Sequence, residues 1–280
     1  METQRSEHSL LMMCRVLEVS RSGYYKWKKG YQNTRHQRRE AVKSSVIEIY
    51  HQFKRRYGAP RITRELNAKG IACSLNHVAS LLRESGLKAR NGKGFKYSKS
   101  NPGLYNVSRN LLKRDFTATR LNEKWVTDIT HILIKGGWVY LSAFMDLYSR
   151  AIVGWAVDGQ MTEALINSAL DMALSRRQVE EGLIVHSDQG IQYRAHCYQE
   201  KLRRLGCQIS MSRRGDCWDN AAIESFFSRL KVELIFTEKF TTLEHIRSEL
   251  FQYIEIFYNR QRRHSANGYI SPIQFESQNA

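Results

Sequence analysis

Apolar positions recur at helical spacing through about the first 90 residues and at strand spacing from Trp125 onward. Ser9 to Leu17 is apolar at a helical period, Val19-Ser20 reads as a turn with an N-cap, and a second helix follows over Arg21 to Lys29. A longer helix, Arg35 to Gln52, sets Val42, Val46 and Ile49 on the face that Phe53 extends. Tyr57-Gly58-Ala59-Pro60 breaks it, and Pro60 suits the start of a helix running Arg61 to Lys69. Gly70 stops that helix, Ser74 caps the next, and Asn76 to Glu84 continues to Gly86. From Trp125 the runs Trp125–Leu133, Trp138–Asp146 and Ala151–Val157 are β-branched or aromatic and separated by short turns, which predicts a three-stranded antiparallel meander. A helix (Thr162–Arg176), an apolar strand (Leu183–Asp188), a helix (Ala195–Leu205), a short strand (Gln208–Met211) and two long helices (Asn220–Leu234, Leu243–Tyr258) follow.

Charge changes the picture of the first part. The chain has 280 residues and a net charge of +17, yet residues 1–120 contain 26 Lys plus Arg against 8 Asp plus Glu, while the other 160 contain 18 against 19. Segregation of this kind is the footprint of a polyanion partner, and double-stranded DNA is expected. No sustained Trp/Phe/Leu face accompanies the charge, so a membrane surface is not. The pair of short helices around Gly70 resembles a helix-turn-helix whose second helix sets Asn76, His77, Ser80 and Arg83 opposite Val78, Leu81 and Leu82. Residues 88–120 are basic and aperiodic, a linker in which Lys93 and Lys96 are placed to follow phosphates. The expected layout is a helical DNA-binding region at 1–87, this linker, and a catalytic domain at 121–280.

Five cysteines with no Cys-x-x-Cys pair argue against a disulfide framework or a structural zinc site. The longest apolar runs, such as residues 10–14, fall far short of the roughly 20 residues a membrane span needs, and the start lacks a signal-peptide pattern. An intracellular, cytoplasmic protein associated with the nucleoid is expected.

Three acids carry the candidate chemistry. Asp128 interrupts an apolar strand, Asp188 ends the buried fourth strand in His186-Ser-Asp-Gln-Gly, and Glu224 lies inside a helix. A charge flanked by Val126, Ile129 and Ile132 is costly to bury without a partner. A set on strand, strand end and helix suits two Mg²⁺ ions, with Mn²⁺ able to substitute, acting on a phosphodiester. His131 and His186 are read as core or supporting residues, since such sites prefer oxygen ligands. Asp146 is expected to bond locally to Ser149 or Arg150. Asp216 and Asp219 flank Trp218 in a loop read as mobile, and Phe226, Phe227, Tyr253 and Phe257 as core.

With these residues in view, the segment Trp125 to Pro272 resembles the catalytic core of DDE transposases and retroviral integrases. More narrowly, the chain is similar to the OrfB products of copy-out–paste-in insertion sequences. The matching pieces are Val-Ser-Arg-Ser-Gly-Tyr-Tyr at 19–25, Tyr57-Gly58, Trp125-Val-Thr-Asp-Ile-Thr, and His186-Ser-Asp-Gln-Gly-Ile-Gln-Tyr. Trp218-Asp-Asn-Ala-Ala-Ile-Glu-Ser-Phe-Phe and Tyr258-Asn259 follow, with Arg262, His264 and Pro272. The resemblance implies an α/β, ribonuclease-H-like catalytic domain with a mixed five-stranded sheet behind a smaller all-α helix-turn-helix region. It implies that Asp128, Asp188 and Glu224 are the catalytic triad and metal ligands, and that Lys231 contacts the transposon end. Lys231 is two helical turns from Glu224 on the same face, and Asn220 lies there too; Arg262 is added as a basic DNA contact. The implied activity is metal-dependent strand cleavage and transfer at terminal inverted repeats, by a homo-oligomer on DNA. An upstream OrfA-type product would be its fusion or partner, since no heptad run occurs here and the chain reads as the downstream product alone. A nuclease of the same fold that cuts without joining, and a non-catalytic DNA-binding protein, are the rivals.

Overall fold

Three serines start three of the N-terminal helices. Ser9, Ser20 and Ser74 each accept a backbone N–H in the first turn of α1 (Leu10–Val16), α2 (Arg21–Lys28) and α5 (Leu75–Glu84). Between them lie α3 (Thr34–Gln52) and α4 (Ala59–Ala68), the latter with proline in its first turn. Val46, Ile49 and Tyr50 of α3, Ile62 and Leu66 of α4, and Val78 and Leu81 of α5 are buried, and the three helices pack on one another. Phe53 stacks on Tyr57 at 4.1 Å between ring centroids, which fixes the turn from α3 into α4. The computed structural model describes residues 1–30, 34–90, 107–213 and 217–279, in two units, Met1–Ala89 and Arg90–Ala280.

The second unit is built on a five-stranded sheet. Strands β1 (Lys124–Ile134), β2 (Gly137–Asp146) and β3 (Ile152–Asp158) form the antiparallel meander, and β4 (Ile184–Ser187) and β5 (Gln208–Met211) add parallel strands beyond β1. The order is β3-β2-β1-β4-β5. The helices are α6 (Glu163–Arg176), α7 (His196–Arg204), α8 (Ala221–Glu233), α9 (Leu243–Phe251) and α10 (Pro272–Asn279). An antiparallel meander extended by parallel strands and flanked by helices is the ribonuclease-H-like fold.

The core joins Trp125, Phe144 and Val153 of the sheet to Ile166, Ala169, Leu170 and Ala173 of α6. The contact is close because β3 carries Gly154, where an added Cβ would stand 2.2 Å from the Ala169 carbonyl oxygen and 2.6 Å from the Ala173 nitrogen. Phe226, Phe227, Tyr253 and Phe257 are all buried, as their helical spacing predicts.

Two stretches depart from the pattern. The last long helix stops at Phe251 and continues as a π-helical turn, Gln252–Tyr258. The wider turn brings Tyr253, Ile254, Phe257 and Tyr258 inward together. Helix α10 lies beyond the predicted elements. Ser271 accepts the Gln274 N–H ahead of it, Glu276 pairs with Arg177 at 2.7 Å, and Phe275 meets the Tyr148 ring edge-on at 5.2 Å.

Candidate active site

Strand register brings the first two acids together. In the parallel β1–β4 pair, Trp125 stands opposite Val185 and Val126 opposite His186. Carried on, the same offset sets Asp188, one residue past the end of β4, level with Asp128. The Asp128 carboxylate accepts the Ile129 N–H at 2.8 Å and that of Asp188 accepts the Gly190 N–H at 2.9 Å, so a nearby backbone N–H orients each. Helix α8 supplies the third: Glu224 stands in its first turn. Just ahead of α8, the Asn220 amide donates to the Thr127 carbonyl at 3.2 Å, which ties the helix start to the residue before Asp128.

The three carboxyls are partly exposed and feel one another. Burial raises Asp128 well above the usual carboxylate range, and the charges of Asp188 and Glu224 push the same way. Asp188 is raised by burial, against the Gly190 hydrogen bond and the charge of Arg194. Glu224 is raised by burial and by Asp188. Converging oxygen donors, two of them pushed up by a neighbouring carboxylate, fit a hard divalent cation, which removes the repulsion. A second group, Glu238, His245 and Glu249, has ligand atoms within 4.8 Å of one another on a largely exposed surface.

Lys231 borders this cluster. Burial lowers its ammonium pKa while the Asp128 charge supports the ammonium form, and its charge reaches His131. His131 is exposed, edge-on to Tyr140 at 5.2 Å and Trp138 at 6.3 Å, rather than in the core. His186 is fully buried between the Ser210 and Ser212 hydroxyls at 2.7 and 3.1 Å, and burial pushes its imidazole down to about 4.

Two expected DNA contacts turn inward. Arg262 is 2% exposed and forms an ion pair with Glu233 at 2.7 Å; the Tyr253 hydroxyl donates to the same carboxylate at 2.9 Å. A guanidinium so enclosed holds α8 to the C-terminal segment and offers DNA nothing. Asn220 is 3% exposed with its amide committed to Thr127, so it too is an internal anchor. Asp146 bonds locally to Arg150, whose backbone N–H donates to its carbonyl at 2.9 Å, while its carboxylate accepts the Asn122 and Tyr148 N–H groups, both at 2.8 Å. Asp219, read as part of a mobile loop, is completely buried and bonded to Asn110, Arg114 and Arg213. Trp218 beside it is 66% exposed. Asp216 lies outside the described residues, as do Lys93 and Lys96.

In the first unit, Asn76 and Arg83 are exposed and His77 and Ser80 half-buried, opposite the buried Val78, Leu81 and Leu82. The Ser80 hydroxyl donates to Glu84, which also holds Arg39.

The signals missed in the sequence were long-range. Nothing local marks Asp219 as the partner of Arg114, or Glu233 as that of Arg262, at separations of 105 and 29 residues.

Comparisons with known proteins identify the family. Family models described as "Integrase core domain" match residues 118–217 and 205–272, and one described as "HTH-like domain" matches 37–94. The transposase InsF for insertion sequence IS3A of Escherichia coli (strain K12) is 45% identical over 280 residues, covering 99% of this chain and 97% of that protein. The insertion element IS600 uncharacterized 31 kDa protein of Shigella sonnei is 39% identical over 263 residues, covering 94% and 97%. Among solved structures, an intasome of simian T-cell lymphotropic virus in complex with the PP2A regulatory subunit B56 gamma is 14% identical, with a TM-score of 0.47 over 83% of this chain and 74% of that one. The HTLV-2 integrase catalytic core domain in complex with magnesium is 18% identical, with a TM-score of 0.43 over 55% and 96%.

Proposed function

The chain belongs to the IS3-family DDE transposases, with an integrase core domain and an HTH-like region that imply DNA binding, and from that premise we propose how its residues act. Asp128, Asp188 and Glu224 hold two divalent ions, Mg²⁺ or Mn²⁺. When bound, the ions supply activation of the attacking oxygen and stabilisation of the leaving one. In the first step water attacks phosphorus at the end of the insertion sequence, the new P–O bond replaces the bond to the 3′ oxygen, and a 3′-hydroxyl is released. In the second, that hydroxyl attacks a target phosphodiester, the new P–O bond replaces the bond to the target's 3′ oxygen, and the proton the attacker gives up is matched by the one the released 3′-hydroxyl takes up. Lys231 orients the phosphate beside the scissile bond, and the polar face of α5 (Asn76, His77, Ser80, Arg83) with the linker lysines Lys93 and Lys96 binds the terminal repeats. Two element ends and one target must meet, which calls for an oligomer on DNA, joined or fused to an upstream product, in the cytoplasm at the nucleoid.

The observation that carries this reading is the meeting of three partly exposed carboxyls, each raised by burial and two of them by a neighbouring carboxylate. Asp188→Asn tests it. Cleavage and joining of labelled element ends should both vanish while DNA affinity stays within about a few-fold, because phosphate contacts carry affinity. Near-normal strand transfer by this variant would overturn the assignment, and cleavage without joining by the wild type would identify a nuclease.

A further inference from the structure

Asp219 is a charged group with no exposure and an unusual number of partners. Its carboxylate accepts from Asn110 Nδ2 at 2.8 Å, Arg114 Nε at 3.2 Å, and Arg213 through the backbone N at 2.9 Å, Nε at 3.1 Å and Nη2 at 3.0 Å. The side chains of Arg114 and Arg213 are themselves 48% and 59% exposed, so the buried member of the cluster is the acid. Removing one partner of a buried charge leaves it uncompensated, which makes the group unusually sensitive to its neighbours.

What Asp219 joins is informative. On one side is the segment Ser108 to Arg114, which runs along the outer edge of β5: the Leu111 N–H donates to Ser210 Oγ at 2.8 Å and the Met211 N–H to the Arg109 carbonyl at 3.4 Å. Covering an edge strand this way also blocks stray strand pairing. On the other side is the 3-10 turn Cys217–Asn220, which leads directly into α8. Asn220, next to Asp219, donates to the carbonyl of Thr127, and Thr127 precedes Asp128. Glu224 follows in the first turn of α8. One carboxylate thus anchors the turn that leads into the α8 acid and that is tied, through Asn220 and Thr127, to the strand already holding the β1 acid.

We propose that Asp219 is a positioning residue: through Asn110, Arg114 and Arg213 it fixes the start of α8, and so the spacing of Glu224 from Asp128 on which divalent-ion binding depends. The inference rests on the assignment of those two acids as metal ligands. Ligand geometry is sensitive to such support, and removal of groups that orient metal ligands typically lowers metal affinity by about 10–100-fold. Asp219 itself touches neither the ions nor DNA in this scheme.

The test measures Mn²⁺ binding to the full-length protein, without DNA, by electron paramagnetic resonance, alongside the Mn²⁺ midpoint of cleavage. Asp219→Asn should weaken Mn²⁺ by about tenfold or more, the low end of the usual range for such groups, and Arg114→Ala by only a few-fold, because it removes one partner and leaves the carboxylate in place. Arg114→Lys should recover part of the loss. A purely structural role would lower the melting temperature and the active fraction but leave the Mn²⁺ midpoint of the folded molecules where it was. Should Asp219→Asn fail to fold, Arg114→Ala decides, because that side chain is half exposed and its Nε gives the carboxylate a single bond among those described. Wild-type Mn²⁺ affinity in folded Arg114→Ala and Asp219→Asn overturns the proposal. Asp188→Asn is the control: if it too binds Mn²⁺ normally, the metal assignment fails and the role of Asp219 falls with it.

Discussion

Lys231 and Arg262 are both basic and both near the acidic cluster in sequence terms, and they have opposite fates. Lys231 stays partly exposed with its charge felt by Asp128, while Arg262 is sealed against Glu233. The helical period made the first legible, since a residue seven positions after Glu224 returns to the same face. No local pattern separates a solvent arginine from one whose partner sits on another element, and that is why Arg262 was misread. At this scale, Lys231→Ala should reduce cleavage strongly, since misplacing a reacting group by about 1 Å costs on the order of 10²-fold in rate. Lys231→Arg should retain much of the rate. Single-turnover assays on element ends check both, and a fully active alanine variant would remove Lys231 from the site. Among the acids, the sequence marked Asp128, Asp188 and Glu224 by type and by element, but their meeting depends on β1–β4 register, a property of paired strands.

Elements were easier to read than contacts. Serine caps, the Pro60 helix start and the alternating meander are local signals, and the structure returns all of them within a few residues. The π-helical turn at Gln252–Tyr258 was not legible because its apolar positions fit an ordinary helix equally well. Helix α10 did have a signal, Ser271 followed by Pro272, which is a cap and first-turn pair. The tightest joint between elements is β3 on α6. Gly154→Ala would force its methyl into the Ala169 carbonyl and the Ala173 nitrogen. Both are backbone, so α6 itself must move, and overpacking typically costs about 1–3 kcal/mol or more. Urea denaturation should show a loss of at least that size; an unchanged midpoint would mean α6 shifts freely on the sheet.

Across the whole molecule, charge is the feature read most directly from the sequence: 26 of its 44 basic residues fall in the first 120. If even about 6–10 of them meet phosphate, affinity for duplex DNA should fall by roughly 10³–10⁵ between 50 and 200 mM salt. Fluorescence anisotropy at graded salt measures the slope, and a flat response would move recognition to uncharged contacts. Among the described residues no helix is long and apolar enough to cross a membrane.

The C-terminal segment has a consequence in time. Asn259 brackets Ile152 with two hydrogen bonds of 2.9 Å, and Asn267 donates to the Ser149 carbonyl at 2.6 Å, across 107 and 118 residues. The turn from β2 to β3 therefore waits for partners made much later. At about 5–20 residues per second, a ribosome needs roughly 5–20 s to span that interval. Throughout it the basic N-terminal helices already exist as chain, while the strand that carries Gly154 lacks its last clamp. The basic N-terminal helices can thus leave the ribosome well before the sheet that carries Asp128 is clamped.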